Sequence, residues 1–229
     1  MLIKAEDVSL GYDSKAIVEH LNFEVNEGDY LCIVGENGSG KSTLMKTVLG
    51  LVRPVSGTVT FDESFAKKQI GYLPQQTGAQ RDFPASVEEI VLSGCLTNGT
   101  FHPFYSLEDK ALAAENMRRM GLEALRKRSY RTLSGGQQQR VLLARALCST
   151  DRIILMDEPV SGLDPAAAGE MYDAVEELNR GGTAVMMITH DIEGALRYAD
   201  HILVIGDEVF FGTKEEYMVR AGIVPQEEE

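Results

Sequence analysis

The segment that most constrains this chain is a glycine-rich stretch, residues 35–42, with the sequence GENGSGKS. It fits the pattern G-x-x-x-x-G-K-[ST]. A short apolar run at residues 30–34 precedes it and predicts a buried strand, while residues 43–49 predict a helix that ends at Gly50. A strand, a glycine-rich turn and a helix in this order predict a loop that binds phosphate.

The residue types in this loop match the chemistry of a nucleoside triphosphate. Gly38 and Gly40 let the backbone approach an anion closely, and the N–H groups at the start of a helix point towards it. Lys41 is placed to reach the β- and γ-phosphates, and the Ser42 hydroxyl to bind Mg²⁺. The alternative is a chance match in a glycine-rich turn, which the flanking strand and helix make the weaker interpretation.

The composition excludes several classes of protein. A formal net charge of −13 argues against a nucleic-acid-binding surface, because contacts to many phosphates need clustered Lys and Arg. At 229 residues the chain suits one domain, or a core with a subdomain. It contains no apolar run of the ~18–20 residues that span a bilayer and no signal peptide, so we expect another polypeptide to provide any membrane span.

The three cysteines, Cys32, Cys95 and Cys148, lie far apart in the sequence and lack the spacing of metal ligands. Two of them lie in apolar patterns. We therefore expect buried, reduced thiols, as in a cytosolic protein.

Two further residues are candidates for contacts with a nucleotide. Residues 2–10 and 17–25 alternate between apolar and polar types and predict a pair of antiparallel strands, with Tyr12 between them. Tyr12 is placed to stack on adenine, although a packed turn tyrosine is the alternative. A predicted strand at residues 69–73 ends at Pro74, and Gln75 in the following loop can reach Mg²⁺ or an attacking water. A solvated loop residue is an equal alternative for Gln75.

The strand signal disappears from about residue 77 to residue 149. Helices are predicted after Ser86 and Ser106, the latter with a capping pattern. Residues 133–137, with the sequence LSGGQ, open another helix, and Gly135 and Gly136 at its start make a second anion site. One chain has no evident use for two such sites on one nucleotide, but two facing chains do.

Acidic and histidine side chains follow two later apolar strands. Residues 152–156 lead into Asp157 and Glu158. Asp157 is placed to hold Mg²⁺ through water, and Glu158 to orient or deprotonate the water that attacks the γ-phosphate. His190 follows the strand at residues 183–188, at the end where open α/β sheets bind ligands. A solvated acidic turn is the alternative for the two carboxylates.

The remaining histidines and the chain end carry no such signal. His20, His102 and His201 are predicted to be structural or surface residues. Residues 225–229 are acidic and predict a frayed, solvated end.

In their order along the chain, these motifs resemble those of the ATP-binding-cassette ATPases. Tyr12 resembles the adenine-stacking aromatic of that family, residues 35–42 its phosphate loop, Gln75 its Q-loop glutamine, and residues 133–137 its signature sequence. The resemblance covers nearly the whole chain.

The later motifs match as well, and no motif position departs from the family pattern. Asp157 and Glu158 resemble the magnesium-site aspartate and the catalytic glutamate. Residues 161–164 resemble the loop of dimer contacts, and His190 the switch histidine.

The resemblance implies a fold and a division of the chain. The fold is α/β, a P-loop NTPase (RecA-like) core with an antiparallel β subdomain and a helical insertion subdomain. Residues 1–76 and 150–229 form the nucleotide-binding core and its β part, and residues 77–149 form the helical subdomain, all within a single domain of 1–229.

The resemblance also implies ATP and Mg²⁺ as cofactors and a set of site residues. The catalytic residues are Lys41, Gln75, Glu158 and His190. Nucleotide contacts come from Tyr12, Gly35, Asn37, Gly38, Ser39, Gly40, Lys41, Ser42 and Thr43, and from Ser134, Gly135, Gly136, Gln137 and Asp164, with the signature residues acting on the nucleotide of a second chain. The Mg²⁺ ligands are Ser42, Gln75 and Asp157.

The partners implied are a second copy of the chain and a membrane permease. Two chains would pair head to tail around two ATP molecules, and the helical subdomain would dock onto the permease at the cytoplasmic face of the cell membrane. An extracytoplasmic solute-binding protein would act indirectly, and no nucleic acid is expected.

The region around Gln75 suggests a narrower placement. The short link between residues 57 and 70 and the stretches 71–75, 82–87 and 91–94 resemble the ATPases of zinc and manganese importers. Other importer cargoes, such as an iron chelate or haem, and a soluble ATPase of iron–sulfur cluster assembly remain alternatives. A small-molecule kinase is a further alternative, but it would not need residues 133–137.

Overall fold

Two β-sheets organise the part of the chain that the computed structural model describes, which is residues 1–12, 15–62, 70–76, 82–98, 104–206 and 208–223. Gln69, His102, most of the loop at 97–105 and the acidic end at 225–229 lie outside the described residues. The strands are β1 (Ile3–Tyr12), β2 (Lys15–Val25), β3 (Tyr30–Val34), β4 (Ser56–Phe61), β5 (Ile70–Leu73), β6 (Ile153–Asp157), β7 (Ala184–Ile188), β8 (His201–Val204) and β9 (Phe210–Thr213).

The smaller sheet is antiparallel and has the order β2-β1-β4. Its strands β1 and β2 are the pair predicted from the alternating pattern. In β2 the inward positions, Val18, Leu21, Phe23 and Val25, are buried while their neighbours face solvent. This alternation is the signature of a sheet with one buried face.

The larger sheet has the order β5-β6-β7-β3-β8-β9, with parallel pairing from β5 to β8 and an antiparallel edge strand, β9. Every residue of β3, β6 and β7 is buried, because both faces of a parallel sheet are covered. The carboxyl ends of parallel strands lie at one edge, and in open α/β sheets ligands bind there. The predicted α/β class is confirmed.

Two apolar cores lie on opposite faces of the larger sheet. Leu31 and Ile33 of β3 pack into the core shared with the smaller sheet, whereas Tyr30, Cys32 and Val34 pack into the core under the helices. The alternation follows from the two-residue repeat of a strand. One strand thereby fixes both layers relative to the phosphate loop that follows it.

Helices flank the larger sheet. They are α1 (Lys41–Val48), α2 (Val87–Leu92), α3 (Leu107–Arg119), α4 (Gly135–Leu147), α5 (Pro165–Arg180), α6 (Ile192–Tyr198) and α7 (Lys214–Arg220), with 3₁₀ helices at Ser93–Asn98, Glu123–Leu125 and Tyr130–Thr132. The helix starts predicted at Ser86 and Ser106 are confirmed, since both residues form a capping box, and Thr213 forms one at the start of α7. Within the described residues, no helix is long and apolar enough to cross a membrane.

The stretch between β5 and β6 is helical, as predicted. In the described part of residues 77–149, the β-structure is limited to an isolated bridge between Ser86 and Ser129. The division of the chain into a core and a helical subdomain at these residues remains a proposal.

The start of α1 and the presence of α6 differ from the sequence analysis. Helix α1 begins at Lys41 instead of residue 43, because Gly40 takes a left-handed conformation, with φ of 107°, and acts as its N-cap. Helix α6 was not predicted, since its seven residues are too few for a clear period. Its N-cap, Asp191, accepts a hydrogen bond from Gly194 N and is the local signal that marks it.

A pair of leucine substitutions tests the packing of the larger sheet. Leu155 in β6 is fully buried, so Leu155→Ala should lower the free energy of unfolding by about 2–5 kcal/mol through lost contacts and a cavity. Leu51 is 71% exposed, and Leu51→Ala should change it by less than about 0.5 kcal/mol. Denaturant unfolding measures both, and equal effects at the two positions would contradict this assignment of the core.

Candidate active site

The phosphate loop joins the end of β3 to the start of α1, and its glycines adopt conformations that other residues rarely take. Gly35, Gly38 and Gly40 have φ values of 152°, 84° and 107°. A Cβ atom on Gly35 would lie 2.0 Å from the carbonyl oxygen of Ile205. A side chain at this position would therefore collide with the backbone that follows β8, which explains the first glycine of the pattern.

Lys41, the first residue of α1, lies inside the curve of this loop. Its Nζ donates hydrogen bonds to the carbonyl oxygens of Gly35 and Glu36, both at 2.7 Å. Burial lowers the pKa of Lys41, while the charges of Glu158 and Asp157 raise it. The ammonium group thus faces the carboxylates at the end of β6.

Two hydroxyl groups of the loop suit an anion and its counter-ion. The Ser39 Oγ is buried and has no hydrogen-bond partner among the described residues. Such an atom costs stability unless a ligand pairs with it, and a phosphate oxygen would accept its hydrogen bond. Ser42 is exposed at the start of α1, where backbone N–H groups are available to an anion.

Glu158 stands at the centre of the site in an unusual conformation. Its φ of 50° lies in the left-handed region, which costs a non-glycine residue about 1–3 kcal/mol. Its Oε1 lies 2.6 Å from His190 Nε2, and its Oε2 accepts a hydrogen bond from Gln75 Nε2 at 2.9 Å. The side chain is 17% exposed. Residues after three neighbouring strands, β5, β6 and β7, therefore meet on one carboxylate.

Asp157 is the last residue of β6 and is 8% exposed. Burial raises its pKa, and the neighbouring charge of Glu158 raises it further, while Lys41, Lys46 and His190 lower it. A buried carboxylate beside hydroxyl and amide oxygens is the donor set that Mg²⁺ prefers. The residues present at this edge therefore fit the cation that usually accompanies ATP.

The phosphate loop and the carboxylate cluster enclose one cleft of about 400 Å³. The loop and α1 contribute Asn37, Gly38, Gly40, Lys41, Ser42 and Thr43, and the sheet edge contributes Gln75, Glu158 and His190. Ile17 of β2 completes the lining and was missed by the sequence analysis. It is 50% exposed, and an exposed apolar residue within an alternating strand was the available signal.

Tyr12 lies beside this cleft at the end of β1. Its hydrogen bond with the side chain of Thr43 lowers its pKa and places its hydroxyl against α1. The residue is 46% exposed, so its ring is not covered by the fold. An aromatic ring in this position is available to a flat base.

The signature sequence lies at the start of α4, next to the start of α5. Ser134 caps α4, and its backbone N donates to Gln137 Oε1 at 3.1 Å. Cβ atoms on Gly135 and Gly136 would lie 3.2 Å from Leu163 Cδ2 and 2.9 Å from Ala167 Cβ, respectively. Among the residues that the structure describes, the lining of the cleft does not include these signature residues.

Asp164 has a role within its own chain. Its Oδ1 accepts hydrogen bonds from the N–H groups of Ala166 and Ala167, both at 3.1 Å, and so caps α5. Asp164 therefore lies at the start of α5, next to the residues that pack on Gly135 and Gly136. It is not among the residues that line the cleft in the described part of the chain.

A hydrogen bond behind His190 was also missed by the sequence analysis. The Tyr172 hydroxyl of α5 donates to Asp191 Oδ2 at 3.0 Å, and Asp191 Oδ1 accepts from Gly194 N at 2.8 Å. These bonds hold the turn that carries His190. Tyr172 belongs to an amphipathic helix and has no motif around it, so no sequence signal separates it from an ordinary core residue.

The three cysteines and the other described histidines do not line the cleft. Cys32, Cys95 and Cys148 are buried free thiols, as predicted. His20 is exposed and contacts Asp7, and His201 stacks on Phe211, so both are the structural or surface residues expected.

Comparison with known proteins agrees with this geometry. A family model described as ABC transporter matches residues 18–161. The chain is 33% identical over 210 residues to a manganese transport system ATP-binding protein of Halalkalibacterium halodurans, covering 91% of this chain and 84% of that protein. It is 33% identical over 227 residues to a zinc uptake system ATP-binding protein of Listeria innocua, covering 94% and 87%.

A solved structure shows the same fold. A chain of a metal-chelate type ABC transporter in an inward-facing conformation has a TM-score of 0.85 and 31% identity, covering 94% of this chain and 84% of that chain. The likeness identifies the α/β fold as the P-loop NTPase fold of ATP-binding cassettes. With a cleft between the phosphate loop and the Glu158 carboxylate and a family match over most of the sequence, this chain belongs to the ABC transporter family and is an ATP-binding, ATP-hydrolysing subunit.

Proposed function

We propose that this chain hydrolyses ATP to drive the import of a divalent metal ion, zinc or manganese, through a separate membrane permease. The observation that carries the ATPase part is the convergence of Gln75, Glu158 and His190 beside the phosphate loop. The cargo rests on the relatives, which are named for manganese and zinc. These names favour metal import over the iron–sulfur assembly alternative.

The nucleotide would lie along the cleft from Tyr12 to Glu158. Tyr12 and Ile17 supply apolar surface for the base and sugar, because both are exposed beside α1. Residues 35–43 supply backbone N–H groups, the Ser39 hydroxyl and the Lys41 ammonium for the phosphates. This assignment uses Gly35, Asn37, Gly38, Gly40, Ser42 and Thr43 as predicted from the sequence.

Glu158 is the proposed general base. Its carboxylate accepts a proton from the water that attacks the γ-phosphate, and the contacts from Gln75 and His190 fix the direction of both oxygens. The left-handed backbone of Glu158 turns the side chain back over the cleft, which is a use for a strained conformation at a functional site.

Ser42, Gln75 and Asp157 are the proposed Mg²⁺ ligands, directly or through water. When bound, Mg²⁺ neutralises charge on the β- and γ-phosphate oxygens. Asp157 is buried and interacts with Lys41, so its carboxylate would lie close to the phosphates. It would leave the position of the attacking water to Glu158.

We propose that two chains form a head-to-tail dimer with two ATP molecules between them. Ser134, Gly135, Gly136 and Gln137 lie at a helix N-terminus but outside the cleft of their own chain, which supports contacts to the nucleotide of the partner. Asp164 caps α5 beside them and would position the loop at this dimer contact.

An apolar groove supports docking of the permease next to Gln75. The groove has a volume of about 330 Å³, and its walls include Pro74, Phe83, Ile90 and Leu142. Phe83 is 58% exposed on this wall and adds to the apolar surface that the groove offers a partner. This docking would place the chain at the cytoplasmic face of the membrane, and a solute-binding protein would contact only the permease.

Glu158→Gln tests the general base. Hydrolysis should fall by about 10²–10⁴-fold, because an amide cannot accept the proton from water. Steady-state phosphate release measures the rate, and light scattering with ATP should detect a dimer that persists. Glu177→Gln on the exposed face of α5 is the matched control and should match the wild type. A wild-type rate for Glu158→Gln would contradict the assignment.

The raised pKa of Asp157 predicts the pH dependence of stability. The carboxyl ionises less readily in the folded chain than in the unfolded chain, so its charge destabilises the fold at neutral pH. Asp157→Asn should therefore raise the melting temperature by a few degrees at about pH 8. This advantage should shrink as the pH falls through the raised pKa of Asp157 and be gone below about pH 4, where the carboxyl is protonated in both states.

Thermal unfolding measures the melting temperature, in the presence of a chelator and without nucleotide. Asp151→Asn at an exposed position is the control and should be close to neutral at both pH values. Destabilisation by Asp157→Asn at about pH 8 would show that the carboxylate is stabilised by its neighbours, contrary to this account.

Deletion of the coding sequence in the native strain tests the cargo. Growth under divalent-metal limitation should fail and should recover on addition of either zinc or manganese salts. The wild-type chain should restore growth, whereas Glu158→Gln should not. Recovery with an iron chelate alone would overturn the zinc or manganese assignment and leave the ATPase assignment intact.

A further inference from the structure

Two adjacent glutamines leave the same loop in different directions. Gln75 Nε2 donates to Glu158 Oε2 at 2.9 Å, whereas Gln76 Nε2 donates to the hydroxyl of Tyr130 at 2.7 Å. A short loop that follows β5 therefore contacts both the proposed catalytic base and the segment before the signature helix. The sequence analysis gave no role to either Gln76 or Tyr130.

Tyr130 is built into the start of the signature helix α4. It is 1% exposed and opens the 3₁₀ helix that leads to Ser134, the N-cap of α4. Its carbonyl oxygen accepts hydrogen bonds from Leu133 N and from Gln138 Nε2, both at 3.1 Å. The backbone of Tyr130 therefore forms hydrogen bonds with the first turn of α4 and the residue before it, while its hydroxyl accepts a hydrogen bond from Gln76.

Tyr130 also faces the apolar groove described above. Pro74 and Tyr130 both line that groove, and Pro74 directly precedes Gln75 and Gln76. Tyr130 N is held by the carbonyl oxygen of Ala85, another groove residue, at 2.9 Å. A displacement of the groove wall would therefore reach the Gln75 loop and the start of α4 together.

We propose that Tyr130 is a positioning residue, joined through Gln76 to the loop of Gln75, that couples the contact with Glu158 to the orientation of the first turn of α4. This inference rests on the proposed function, in which that turn completes the nucleotide site of a partner chain. The hydroxyl of Tyr130 carries the coupling, and its ring closes the groove.

Hydrogen exchange of the full chain, without nucleotide, tests the link by itself. Gln76→Leu removes the amide at one end, and Tyr130→Phe removes the hydroxyl at the other while keeping the ring. Both should speed amide exchange at residues 133–138 by about threefold to tenfold, the effect of one lost hydrogen bond. Among the residues that the structure describes, Gln76 makes no hydrogen bond to the backbone amides of α4, so we expect an effect there to pass through Tyr130.

Tyr30→Phe is the matched control, since it removes a buried hydroxyl that contacts Met187 Sδ of β7 at 3.8 Å and not the Gln75 loop or α4. It should leave exchange at residues 133–138 unchanged. Exchange that changes at residues 70–76 alone in the Gln76→Leu protein would overturn the link. Gln76 is half-buried in a loop, so this variant keeps the test available if Tyr130→Phe does not fold.

Kinetics provide a second readout that a local packing role would not move. Gln76→Leu and Tyr130→Phe should each lower kcat for ATP hydrolysis about threefold to tenfold and leave the KM for ATP unchanged, because neither residue lines the nucleotide cleft. The double variant should be no slower than the slower single variant, because both remove one link. Additive losses would overturn the proposal.

Failure of the proposed function has a different signature. A wild-type chain without ATPase activity would refute that function, and the exchange result at residues 133–138 would still decide whether the link exists.

Discussion

The parallel arrangement of the larger sheet is the constraint on which the site depends. Strands β3, β5, β6 and β7 run in the same direction, so the residues that follow them meet at one edge although they are far apart in sequence. Lys41, Gln75, Glu158 and His190 reach one cleft for this reason. The buried strands supply the stability that lets this edge carry charged and strained groups.

At the proposed site, local geometry would let an acidic protein bind an anionic nucleotide. The net charge of −13 would repel a triphosphate at long range, so the attraction must come from groups within contact distance. Glycines with positive φ bring backbone N–H groups close to the cleft, and Lys41 adds a cation. The same local control applies to the carboxylates, because Asp157 is buried and Glu158 is held by two neighbours.

The helices between β5 and β6 connect this chemistry to a surface. Pro74, Gln75 and Gln76 are consecutive and face the apolar groove, Glu158 and Tyr130, respectively. Pro74 and Gln76 thus lie on the side of the groove, which Tyr130 also lines, and Gln75 lies on the side of Glu158. In the proposed function a separate permease carries the cargo, and such a connection would link that permease to the nucleotide site.

The sequence by itself determined the phosphate loop, most strands and the N-caps at Ser86 and Ser106, because these depend on local rules of period, glycine conformation and capping. The sequence also indicated that Gln75, Glu158 and His190 each follow an apolar strand. Only the tertiary structure decided that Gln75 and His190 contact one carboxylate, that Ile17 lines the cleft, and that Tyr130 meets Gln76. These contacts join residues distant in sequence, and their geometry follows from strand order and packing, which no local pattern encodes.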